Sequence, residues 1–160
     1  MTKQAEHVPL EDEDDTLFYW YNIGFDRFIR EAQAKGHSLS KEFGWDTLDE
    51  LQRYVLTEQV NHRNKNEEAV WQFVACYVYL GEAINRRYRS HWILVNDGTA
   101  DDGMYAVDGL PGEAGVYLVP RGAVVGAILG RKPIKKYVED FVHFDPKSLA
   151  WIDELEEDKP

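Results

Sequence analysis

The sequence predicts an α+β domain: three N-terminal helices with a central buried one, a short three-stranded antiparallel sheet, and C-terminal helices. Three observations carry this. Apolar residues recur at helical spacing as far as Ile84. After Arg89 the pattern changes to short runs rich in β-branched and aromatic residues, separated by Asp-Gly and Pro-Gly turns. The 160 residues are 44% hydrophobic and 13% aromatic, enough for one domain that buries roughly 70% of the surface its unfolded chain exposes.

Charge divides the chain into a body and two tails. The net charge of −11 is concentrated in residues 1–15, which carry −5, and in residues 153–160, which carry −4. Such stretches cannot bury enough apolar surface to offset chain entropy, so both are expected to be disordered around a domain of residues 16–152. An acidic beginning is also unlike a signal peptide, and Cys76, the single cysteine, cannot form an internal disulfide; both predict a cytoplasmic protein. The body carries only −2, which makes nucleic acid an unsuitable partner. Two small basic clusters remain, Arg86-Arg87-Tyr88-Arg89 and Arg131-Lys132 with Lys135-Lys136. They read as solvated helix ends rather than as an anion site.

Asp14 or Asp15 is a suitable N-cap for a first helix over residues 17–35, with Leu17, Tyr21, Gly24 and Phe28 in helical register and Gly36 as its stop. Phe18, Tyr19 and Trp20 add more aromatic surface than one stripe needs. The helix therefore packs on two sides, or presents Tyr19 or Trp20 to a partner. A second helix starts at Asp46 or Thr47, where Thr47-x-x-Glu50 has capping-box spacing, and runs to about Gln59. Asn66 can cap the third, which opens with Glu67-Glu68. Between Ala69 and Ile84 only Gln72 and Glu82 are strongly polar. A helix apolar all round is buried, and its apolar run over residues 73–81 is too short for a bilayer, which needs ~20 residues.

Strands are expected at residues 91–95, 104–107 and 116–119. Pro120 ends the third, and a short helix follows over residues 123–129. Its glycines 122, 126 and 130 fall on one face and permit close backbone approach. Pro133 begins another helix over residues 134–142, and Asp145 caps a last turn around Leu149, Trp151 and Ile152.

The familiar catalytic patterns are missing. There is no phosphate-cradling glycine loop and no G-x-S-x-G elbow. The five histidines never stand at i, i+4 spacing, so no metal site and no cofactor is expected. The segment Asp97-Gly98-Thr99-Ala100-Asp101-Asp102-Gly103 reads as a hairpin turn, because it lacks the alternating ligands and terminal Glu of a calcium loop. Glu82, in the buried helix, is the one carboxylate that invites a catalytic reading. Arg86 four residues on favours a structural pair instead, and Cys76 reads as a small core residue.

The stretches Thr47-Leu48-x-x-Leu51-x-x-Tyr54 and Tyr79-Leu80-Gly81-Glu82-Ala83-Ile84, followed by Trp92 opening a strand, resemble a family of small bacterial domains. That family has a Ser-Leu-x-x-Leu helix, a helix ending Leu-Gly-Glu and a Trp-bearing strand. The resemblance covers about residues 25–142. It departs at Thr47, where the family has Ser, and at Arg89-Ser90-His91, where a glycine-bearing turn is usual. It implies an α+β fold without an established reaction, and such domains resemble small acidic immunity proteins that block bacterial toxins.

The function expected is therefore a non-catalytic protein-binding module, an immunity or inhibitor protein whose partner is a basic, co-encoded toxin. Tyr19, Trp20, Trp45 and Trp151 are its candidate anchors, with Glu82 and Arg86 as buried structural groups. A small-ligand-binding regulatory domain is the alternative, and a hydrolase with an unfamiliar site is the third reading.

Overall fold

The computed structural model describes residues 14–111 and 117–142. Their architecture is α+β. A helical segment opens the chain as α1 (Asp15–Tyr19), a π-helical turn (Trp20–Gly24) and α2 (Phe25–Ala34). It is followed by α3 (Thr47–Thr57), α4 (Glu67–Tyr88), β1 (His91–Leu94), β2 (Tyr105–Asp108), α5 (Pro120–Ile128) and α6 (Ile134–Val142). None of these helices is long and apolar enough to cross a membrane.

The ends of α1 and α2 follow from local chemistry. Asp14 accepts the Leu17 N–H at 2.9 Å, so a domain boundary at residue 16 would fall inside α1 and remove its cap. The π turn departs from the regular helix expected: the Phe25 N–H reaches the Trp20 carbonyl, five residues back. Gly24 makes room for it, because a Cβ there would overlap the Trp20 ring. Gly36, at φ +88°, closes α2 in a Schellman motif, with His37 N–H to Ala32 O and Gly36 N–H to Gln33 O, each 3.0 Å. The same motif ends α3, but there the left-handed residue is Gln59, at φ +52°.

The capping box expected at α3 does not form. Thr47 donates its hydroxyl to the Gly44 carbonyl, and no side chain caps the helix. Glu50 is drawn instead toward groups outside the helix, described below.

At the centre lies α4. Asn66 caps it by accepting the N–H groups of Glu68 and Ala69, Glu67 and Glu68 occupy its positive end, and Arg86 and Arg87 its last turn. From Val78 to Asn85 every residue is buried, as an all-round apolar helix requires. Cys76 is fully buried, and burial pushes its thiol far above its ordinary range. The Trp92 ring of β1 lies across Gly81.

Among the described residues the sheet has two strands rather than three. β1 and β2 pair antiparallel, from His91 opposite Asp108 to Leu94 opposite Tyr105. Of the described residues of the expected third strand, 117–119, only Leu118 pairs, in a single bridge to Val107. The reason is Pro120, which becomes the first residue of α5 two positions later and turns the chain into a helix. The hairpin turn is tied off by its own side chains: Asp102 accepts the N–H groups of Asp97 and Gly98, and Asp97 accepts that of Thr99.

The glycine stripe on α5 is only partly a packing face. A Cβ on Gly122 would lie 2.9 Å from the Tyr137 hydroxyl of α6, which is a close approach. Gly130, by contrast, lies beyond the helix at φ +70° and terminates it. The turn expected around Leu149, Trp151 and Ile152 lies outside the described residues.

Candidate functional site

Of the four candidate anchors, the structure removes one from the surface. Trp20 is 3% exposed and belongs to the core, with ring centroids 5.4 Å from Trp71 and 5.9 Å from Phe25. The π turn and the hollow above Gly24 carry its ring inward. Tyr19 is half-buried and its hydroxyl accepts the Trp71 indole N–H at 2.9 Å, which ties it to α4. Trp151 lies outside the described residues.

Trp45 remains, half-buried in the turn before α3. Two neighbours from the last turn of α4 frame it. The Tyr88 ring meets it edge-on at 5.7 Å, and the exposed Arg87 guanidinium stands 5.0 Å from its ring centroid. The turn is held in place from below. Arg86 lies 4.5 Å over the Phe43 ring and donates to the Lys41 carbonyl at 3.2 Å. Tyr79 donates its hydroxyl to the Ser40 carbonyl at 2.9 Å. A Trp, a Tyr and an Arg thus share one patch on a fixed backbone, and these are the residue types enriched at binding hot spots.

Glu82 is 8% exposed, and both of its oxygens are taken. Tyr21 donates its hydroxyl to Oε1 at 2.7 Å, and Arg86, which is exposed and not buried as expected, donates Nε to Oε2 at 3.1 Å. A carboxylate occupied on both oxygens by partners from α4 and the π turn acts as a brace between them.

A second polar centre had no counterpart in the sequence reading. The His37 side chain is fully buried between two carboxylates of the α3 segment. Its Nδ1 is 3.3 Å from Glu50 Oε1 and its Nε2 is 2.9 Å from Glu58 Oε2. Each ring nitrogen faces a carboxylate oxygen, and the Tyr54 ring packs on the imidazole edge-on at 4.9 Å. Burial works against the Glu50 charge, but hydrogen bonds from Arg53, Ser38 and His37 hold its carboxyl down at about 2. The hydrogen bond from His37, with Lys35 beside it, likewise holds Glu58 below the ordinary carboxylate range. Because the ring is sealed from solvent, this centre fastens the α2–α3 connection and has no open side for a substrate. Glu50, Tyr54 and Glu58 stand at i, i+4 and i+8, a spacing that hints at a common stripe. Their partner, 13 and 21 residues upstream, left no local signal.

Among the described residues no group of three His, Cys, Asp or Glu side chains is arranged to hold a metal ion. The aspartates of the hairpin turn bond to backbone N–H groups and to the Tyr117 hydroxyl. In the second basic cluster, Lys132 and Lys136 both pair with Asp140, and Lys135 pairs with Asp49. Comparison of the chain with family models, with curated proteins and with solved structures finds no match to any of the three.

Proposed function

We propose that this chain is a non-catalytic bacterial protein-binding module, an immunity or inhibitor protein that occludes a co-encoded toxin. The observation that supports this reading is the patch of Trp45, Tyr88 and Arg87: a ring on a turn that Arg86 and Tyr79 hold in place, beside a ring and a guanidinium from the last turn of α4. Aromatic anchors on a rigid backbone lose little entropy on binding, and a few of them carry most of the energy of a typical interface. The acidic ends of the sequence suit a basic partner, whose encounter they accelerate in a salt-dependent way.

The test is purification of the full chain from its native host at low and high salt, beside Trp45→Ala. The expected result is a stoichiometric complex that Trp45→Ala weakens while remaining folded. Recovery of the chain alone at every salt concentration overturns the reading.

A second reading, a small-ligand-binding regulatory domain, is favoured by one separate observation. A recess of about 230 Å³ opens between α4, the hairpin and α5.

A further inference from the structure

The recess is lined by Tyr77 of α4, by Gly103, Met104 and Tyr105 at the start of β2, and by Arg121 of α5. Arg121 is in an unusual position. It stands in the first turn of α5, where the helix presents its own positive end, and that turn contains no acidic residue. Among the described residues no carboxylate pairs with Arg121; its guanidinium lies 5.3 Å from the centroid of the Phe73 ring. Tyr77, facing the same space, makes no hydrogen bond through its hydroxyl among the described residues. Two hydrogen-bond donors, one of them charged, therefore line one recess with no acceptor among the described residues.

The remaining walls narrow the chemistry. Tyr105 donates its hydroxyl to the Asp14 carboxylate at 3.0 Å, and Asp14 also accepts the Leu17 N–H, so that carboxylate is already engaged. The N–H groups of Gly103 and Met104 are bonded to Val95 and Asp101 carbonyls. What these residues leave for a ligand is apolar: one phenol ring and a thioether. Arg121 supplies positive charge on one side of the recess, and the Asp14 carboxylate supplies negative charge behind Tyr105. Burial raises the Tyr77 phenol while Arg121 pulls it back, and burial, Arg121 and Arg63 together lower the His62 imidazole. One guanidinium matches one negative charge, and its planar fork matches a carboxylate. A phosphate dianion would leave a charge unmatched in a half-buried site.

We propose that this recess binds a small organic carboxylate. Arg121 clamps the carboxylate, Tyr77 donates a hydrogen bond to it, and the Tyr105 ring and Met104 pack against the apolar body. This deepens the second reading above and rests on it, independently of the Trp45 patch.

The test is titration of the full chain with benzoate, followed by amide resonances. Saturable shifts are expected at Tyr77, Gly103, Met104 and Tyr105. Benzamide, of the same shape without the charge, should bind about tenfold more weakly or worse, as loss of a charged hydrogen bond implies. Arg121→Met should cause a loss of similar size, and Tyr77→Phe a smaller one. Equal binding of benzoate and benzamide overturns the proposal, and this comparison needs no variant to fold. So does an Arg121→Met chain that binds benzoate like its parent. Inorganic phosphate that shifts the same resonances at lower concentration than benzoate overturns the carboxylate assignment. Capture of a protein partner unaffected by Arg121→Met, together with absent benzoate shifts, leaves the Trp45 reading standing and removes this one.

Discussion

Gly81 and Trp92 claim the same volume: the Trp92 ring lies where a side chain on Gly81 would begin, well inside van der Waals contact. Both residues are buried, one in the middle of α4 and the other in β1, so helix and sheet meet at this point without an intervening layer. Gly81→Ala should therefore destabilise the chain by ~1–3 kcal/mol or more, the usual cost of overpacking a closed core. Urea unfolding measures it. A neutral effect would mean that Trp92 has room to move.

Trp20 and Trp45 should respond differently to truncation. Trp20→Ala empties a buried aromatic site and should cost ~3–5 kcal/mol. Trp45→Ala removes a half-buried ring and its contact with Arg87, for which about 1 kcal/mol is expected. Only the second should weaken a partner at unchanged fold. Thermal melts beside a binding assay separate the two.

Glu82→Gln disturbs a buried acceptor with two donors and should lower stability by ~1–3 kcal/mol. Tyr21→Phe removes one donor, and the double variant should lose less than the sum of the single ones because the two groups share a bond. Partner binding by the folded variants should survive. A Glu82→Gln chain as stable as its parent but lacking a measurable turnover would restore a catalytic role to this carboxylate.

Acid should weaken the chain through Glu50 and Glu58. Both carboxyls lie lower in the folded chain than their ordinary value of 4.5, Glu50 at about 2. The unfolded chain binds more protons in that interval, so their stabilisation is complete above pH 4.5 and is lost as pH falls toward 2. Urea midpoints at pH 7, 4.5 and 3 should trace this loss. Glu50→Gln should be less stable at pH 7 and show a shallower acid slope; an unchanged slope would count against the His37 centre as its source.

Gln59 ends α3 in a left-handed conformation that favours glycine, and it is exposed. Gln59→Gly should stabilise the chain by ~0.5–1 kcal/mol, since relief of the backbone strain outweighs the added freedom of the unfolded state. A shift of the thermal midpoint reads it directly.

Legibility in the sequence followed the range of each interaction. The central helix was legible because its apolar residues cover the whole circumference, and Asn66, Asp14 and Gly36 mark ends through contacts a few residues long. The π turn was not, because Leu17, Tyr21, Gly24 and Phe28 fit a regular helix as well as a widened one. Residues 116–119 have strand composition, but among the described ones, 117–119, pairing reduces to Leu118 because Pro120 already opens α5. Thr47 and Glu50 have capping-box spacing, yet Glu50 finds stronger partners in His37, Ser38 and Arg53. At the candidate site Trp45 could be named from composition. Its neighbours Arg87 and Tyr88, more than forty residues away, could not.

The connection of residues 35–46 contains no helix or strand, and side chains of the α3 segment and of α4 hold it at two places: His37 by Glu50 and Glu58, Ser40 and Lys41 by Tyr79 and Arg86. A segment fastened in this way does not fray residue by residue; it opens as one unit when its fastenings release together. Amide hydrogen exchange should show this as a shared opening rate across the segment, distinct from that of α4. Trp45 sits inside the unit, so a protein seated on its ring would slow exchange as far back as His37, a residue such a partner never touches.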